Sequence, residues 1–95
     1  MATRTITFAD FSGRVGKPFE VHVAGHRVPV TLNAAQELPG SAREGGSFRL
    51  EFIGPHDPML AQGLFAFVFG DDRFEIFIVP IGRDPRGTCY EAIFY

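Results

Sequence analysis

The sequence predicts an all-β fold, either a small antiparallel β-barrel or a two-layer sandwich, with about six strands in meander order. Three observations favour it. Apolar and polar residues alternate with a period of two, short turn sequences separate the alternating segments, and 11 of the 95 residues are Phe. A sheet with a Phe-rich face must close or fold over to bury that face. The length predicts a single β domain over residues 1–95.

Only the N-terminus has a helical pattern. Thr7 is expected to cap a short helical turn, with Asp10 in the third helical position as a weak variant of the capping box. Phe8, Phe11 and Val15 would share its apolar face. Two glycines in the same stretch limit the helix to a turn or two, and we expect it to plug one open end of the barrel.

The first half of the chain supplies three strands, at residues 19–23, 28–32 and 48–52. In the third, three apolar residues alternate with Arg49 and Glu51, which is typical of a half-buried strand. The segment Pro39–Gly46 holds three glycines and small polar residues, which predicts the most mobile internal loop.

The second half supplies strands at residues 65–69, 73–81 and 88–95. Gly70–Asp72 predicts a tight hairpin between the first two. Asp84–Gly87 has Asp, Pro and Gly at the positions that a type I turn favours. No internal repeat is visible in the sequence.

Composition excludes several classes of protein. A formal charge of −2 and a pI of about 5.8 provide no basic face for nucleic acid. A single cysteine excludes an intramolecular disulfide. Charged residues interrupt the N-terminal stretch, and no apolar run is long enough for a membrane helix, so we expect a cytoplasmic protein without membrane contact.

The residues that could bind a metal or take part in catalysis form no catalytic pattern. His22, His26 and His56 lack the spacing of metal ligands, and we expect neither a metal nor a cofactor. Cys89 has no lysine or histidine beside it in the sequence, which predicts an unreactive thiol. Glutamates on separate strands are expected to pair with Arg49 or with another arginine across the sheet. No catalytic residue is predicted, so the protein is expected not to be an enzyme.

One pattern stands out from a simple half-buried sheet. The two strands that flank Gly70–Asp72 carry apolar residues on both faces, and the second set comprises Leu64, Ala66, Val68, Phe77, Val79 and Ile81. Water-facing apolar side chains of this size are normally covered. The cover could be another layer of the same chain, a protein partner or a second copy in a homodimer.

Three segments carry a resemblance to a known family: Val15–Phe19, Phe77–Val79 and Pro80–Phe94. The layout of nearly the whole chain resembles a family of small bacterial proteins described only as a domain of unknown function. Members of that family are often encoded near phage-tail-collar proteins of the microcystin-dependent type. The resemblance implies no catalytic residues. It implies a structural or adaptor role, in a phage-tail-like or fibre assembly.

Two functions therefore remain open. The first is a non-enzymatic adaptor that binds a protein partner through the second apolar set. The second is a small-molecule-binding barrel, or a small enzyme, with its site at the barrel mouth. Against the second, the interior of so small a barrel is filled by side chains.

Overall fold

The computed structural model describes residues 5–40 and 46–95. Six antiparallel strands close into a barrel in the order β1-β2-β3-β6-β5-β4, which confirms the all-β prediction. The elements are α1 (Ala9–Ser12), β1 (Pro18–Val23), β2 (His26–Leu38), β3 (Ser47–Gly54), β4 (Gly63–Phe69), β5 (Asp72–Asp84) and β6 (Gly87–Phe94). Most of the loop predicted at Pro39–Gly46 lies outside the described residues.

The barrel consists of two three-stranded meanders. Strands β1, β2 and β3 pair consecutively, and so do β4, β5 and β6. The two meanders join through the ladders β1–β4 and β3–β6, which close the barrel. In both meanders the middle strand has 13 residues, and its ladder to the last strand contains a register shift.

The two meanders are related by an internal two-fold symmetry of topology. Aligning their two-residue hairpin turns makes the bounds of β2 coincide with those of β5, and the last strands, β3 and β6, have 8 residues each. The alignment makes Val21 equivalent to Phe67, and these two residues pair directly across β1–β4. Glu51 and Glu91 hold equivalent places in β3 and β6 and are likewise paired. Exchanging the halves therefore maps both joining ladders onto themselves.

Inward-facing aromatic side chains fill the barrel. Phe52, for example, packs at 5.7 Å from Phe19 and 4.8 Å from Phe67, measured between ring centroids. The fully buried side chains with the largest volumes are Tyr90, Phe11, Phe19, Phe48, Phe52, Phe67, Phe74, Leu32, Leu50, Ile76, Ile78 and Val21. Their alternation with polar neighbours is the pattern that predicted the strands.

Side chains occupy both ends of the barrel. At one end α1 inserts Phe11, whose ring lies 5.0 Å from that of Phe74, and this position is the one predicted for the helix. At the other end the segment 55–62 inserts Leu60, whose backbone N–H donates to the hydroxyl of Tyr90 at 2.7 Å. Leu60 is 5% exposed.

The helical turn differs from the prediction at its C-terminal end. The Asp10 carboxylate accepts from the backbone N–H of Thr7 at 2.8 Å, which is one half of a capping box. Val15, however, is 46% exposed. The prediction that it shares the buried face was wrong because the helix ends at Ser12, and the following turn carries Val15 away from the core.

Candidate functional site

The second apolar set of the sequence lies on the outside of β4 and β5, and we call it the apolar face. It comprises Leu64, Ala66, Val68, Phe77, Val79 and Ile81. Leu64 and Phe77 pair directly across the two strands. Leu64 is 63% exposed, and Phe77 and Ile81 are each 49% exposed. The face is therefore centred on three large side chains in contact with water.

The other three members are less accessible. Ala66 is buried because its small side chain lies between those of its two cross-strand partners, His22 and Glu75. Val68 and Val79 are half-buried. Truncating these three should change the accessible surface less than truncating Leu64 or Phe77.

Ile93 extends the apolar face, and the sequence interpretation missed it. Val79 pairs with Glu91, and continuing that antiparallel register brings Ile93 level with Phe77. Ile93 is 39% exposed. The alternation of β6 was the available signal, because the inward positions of Tyr90 and Ala92 leave Ile93 outward.

Strands β1 and β2 do not cover the apolar face. Their apolar side chains point into the barrel, where Val21, Val28, Val30 and Leu32 are buried. These strands therefore do not form an internal layer over the face, which was one of the three covers that the sequence left open.

The internal symmetry supplies a comparison for four residues of the face. Before the register shifts, the outward positions equivalent to Leu64, Ala66, Val68 and Phe77 are Pro18, Glu20, His22 and Thr31. Most of these are polar, and Thr31, the equivalent of Phe77, is exposed. The same strand positions thus tolerate polar residues in one half and carry large apolar residues in the other. The barrel itself does not require the apolar face.

A polar rim borders the face. Glu91 neighbours Val79, and Glu75 neighbours Ala66. The guanidinium of Arg49 donates to Glu91 at 2.5 Å and to Glu51 at 2.9 Å. The hydrogen bond from Arg49 holds the pKa of Glu51 below its ordinary value, because it favours the charged carboxylate. The predicted pairing of strand glutamates with Arg49 is confirmed.

Cys89 sits in a second polar cluster, where the strands β5 and β6 meet. Its thiol donates to Asp84 at 3.6 Å. Burial raises the pKa of Cys89, and the negative charge of Asp84 raises it further. The positive charge of Arg86 lowers the pKa of Cys89, but by less than burial and Asp84 raise it. Arg86 instead donates to Asp84 at 2.7 Å and lowers the pKa of that carboxyl to about 2.

The three histidines are not brought together as ligands. His22 lies on the outer side of β1, while His26 begins β2. A ring nitrogen of His56 lies 2.7 Å from the carbonyl oxygen of Asp84, at the end of β5. Across residues 5–40 and 46–95, no three His, Cys, Asp or Glu side chains are placed to hold a metal ion.

Shallow depressions on the surface of the described residues include two of similar size. One, of about 300 Å³, is bordered by Lys17, Pro18, Phe19, Glu20, Pro29, Val68, Phe69 and Gly70. The other, of about 330 Å³, surrounds the β1–β2 hairpin at His22–Arg27. Neither gathers a nucleophile together with a general base, as covalent catalysis would need.

Comparison with known proteins assigns a family. The family model described as "Domain of unknown function (DUF6916)" matches residues 6–94. Neither a curated protein nor a solved structure matches the chain significantly. Among the described residues, the structure contains no helix of the length and apolarity needed to span a membrane.

Proposed function

The chain belongs to the DUF6916 family, and we propose that it is a non-enzymatic binding module whose apolar face docks a protein partner. The partner we propose is a component of a phage-tail-like or fibre assembly in the cytoplasm, as the genes near similar proteins suggest. The alternative occupant of the apolar face is a second copy of the chain.

The observation that carries this proposal is the contrast between the two meanders. Phe77 and Thr31 hold equivalent outward positions on equivalent strands, yet one is a large aromatic residue and the other a small polar one. Folding of the barrel supplies no reason for that difference, since both positions lie outside the core. Recognition of a partner explains the difference, because interfaces concentrate aromatic and aliphatic anchors at their centre.

The layout of the face fits a protein surface. Leu64 and Phe77 are adjacent, and burying the exposed part of each would contribute about 1–2 kcal/mol. Around them lie charged groups of both signs, including the exposed pair of Arg73 with Glu75 at 3.4 Å. An apolar centre with a polar rim is the usual anatomy of a non-obligate interface.

The alternative, a small-molecule site at the barrel mouth, has less support. Phe11 and Leu60 occupy the two ends of the barrel and are buried there. A ligand at either mouth would have to displace one of these side chains and forfeit its packing.

The test replaces Phe77 by Glu and, as a matched control, its equivalent Thr31 by Glu. We would titrate a phage-tail-collar protein of the microcystin-dependent type with wild type and both variants by calorimetry, and measure oligomeric state by light scattering. We expect both variants to fold, as judged by circular dichroism. Phe77→Glu should weaken binding at least about 100-fold, since it loses an anchor and buries a charge. Thr31→Glu should bind like wild type.

Two results would overturn the proposal. One is wild-type protein that stays monomeric and does not bind the tail-collar-type protein. The other is a Phe77→Glu variant that binds as tightly as wild type.

A further inference from the structure

The two meanders pair through two strand ladders, which we call seams. The same seams form whether the two halves belong to one chain or to two. Each meander is continuous in sequence, and only the segment 55–62 joins them. The short seam pairs Glu20–His22 with Ala66–Val68, and the long seam pairs Phe48–Gly54 with Thr88–Phe94. A β1–β3 half of one chain therefore meets the same partners on the β4–β6 half of another.

We propose that two copies of this chain exchange halves, so that each barrel combines β1–β3 of one copy with β4–β6 of the other. Both seams are retained in the exchanged dimer, as are the contacts that α1 and the turn after it make with the second meander. One of these is the ion pair between Arg14 and Asp72, at 2.6 Å. Because the contacts are shared, the balance between monomer and dimer depends mainly on concentration and on the joining segment.

The contacts of the joining segment place the hinge at its beginning. His56 and Leu60 are hydrogen-bonded to Asp84 and Tyr90, which belong to the second meander. The segment therefore moves with β4–β6. The change of direction therefore falls at Pro55, between Gly54, the last paired residue of the β3–β6 ladder, and His56.

The composition of the segment favours exchange. Pro55 and Pro58 restrict the backbone between the halves. A short hinge stiffened by prolines cannot adjust to relieve strain when the barrel closes within one chain, and short hinges of this kind favour exchange between copies. The consequence for binding is direct, because an exchanged dimer carries two apolar faces on one particle.

The test uses cysteine pairs in a Cys89→Ser background. The pair Glu20→Cys with Val68→Cys spans the short seam, where these residues are direct neighbours. The control pair, Val68→Cys with Arg73→Cys, joins neighbours within one meander. Each protein is refolded from guanidinium at about 10 μM and about 1 mM, because short linkers give effective concentrations in the millimolar range. The samples are then oxidised, separated by size and analysed on non-reducing denaturing gels.

We expect the dimer fraction to rise at least about tenfold between the two concentrations. In that dimer the seam pair should give covalently linked chains, whereas the control pair should give single chains with an internal disulfide. Refolded protein that stays monomeric at the higher concentration would overturn the proposal. So would a dimer in which the seam pair links residues of one chain, because two closed barrels would then be touching face to face. Loss of the partner in the Phe77→Glu experiment bears on the proposed function and leaves this result unaffected.

Discussion

Glu51 and Glu91 lie directly opposite each other on the outer side of the β3–β6 ladder, and the guanidinium of Arg49 binds both carboxylates. Like charges in directly opposite positions destabilise an antiparallel pair. Equivalent residues pair on a two-fold axis, and the repulsion arises because both halves have a glutamate at this place. The equivalent of Arg49 in β6 is Cys89, so Arg49 forms ion pairs with both carboxylates.

Replacing Arg49 by Met should lower the free energy of unfolding by about 1–2 kcal/mol at neutral pH. Since Arg49 holds the pKa of Glu51 below its ordinary value of 4.5, its stabilisation is present above that pH and is lost as the pH falls through the lowered pKa. The difference between wild type and variant should therefore shrink on acidification, as urea denaturation at several pH values would reveal. Arg73→Met is the control, because its ion pair with Glu75 is exposed and should contribute little. A difference that grew towards low pH would contradict this account.

Gly87→Ala should prevent folding or cost more than about 3 kcal/mol. Gly87 has a φ of 146°, and a Cβ there would overlap the carbonyl oxygen of Gly54 across the β3–β6 ladder. Gly82→Ala is the matched control, since it adds a Cβ with no heavy atom within 4 Å and needs no positive φ. Thermal melts of the two variants compare them, and equal midpoints would refute the steric explanation.

Thr88→Val should stabilise the protein. Thr88 is fully buried, and its hydroxyl has no hydrogen-bond partner among the described residues. An unsatisfied buried hydroxyl costs about 1–3 kcal/mol, and valine keeps the shape of the side chain without it. Chemical denaturation should show a gain of about 1 kcal/mol. Thr88→Ser keeps the hydroxyl and loses a methyl group, so it should destabilise; a Val variant less stable than wild type would indicate that a bound water satisfies the group.

Cys89 should react slowly with iodoacetamide at neutral pH, because burial and Asp84 both raise the pKa of its thiol. Mass spectrometry of the native protein should show little alkylation under conditions that label the unfolded chain fully. Asp84→Asn removes a charge that disfavours the thiolate, so labelling should become faster. Cys89→Ser should leave partner binding intact. Fast stoichiometric labelling of the native protein, with loss of binding, would show that the thiol has a function.

Alternation predicted the strands because each side chain must choose between the barrel interior and its exterior. Phe48, Leu50 and Phe52 lie in the core as that rule requires, with Arg49 and Glu51 outside. The strand β2 is longer than predicted, because beyond Leu32 the pairing passes from β1 to β3 and continues after a register shift. Nothing in the local pattern marks that change of partner.

The sequence by itself determined which side of each strand is apolar, where the tight turns fall and which outward residues are out of place in a half-polar sheet. These are local properties, set by a period of two and by residues such as Gly87 that suit a particular backbone conformation. Only the tertiary structure decided that the two meanders are equivalent, since few residues are shared between them and the equivalence lies in the pairing of distant strands. It also put Ile93 and Phe77 on the outer side of the barrel and placed Arg49 between two opposed carboxylates. Such contacts depend on register between segments far apart in the chain, and register is fixed by burying all the core side chains at once.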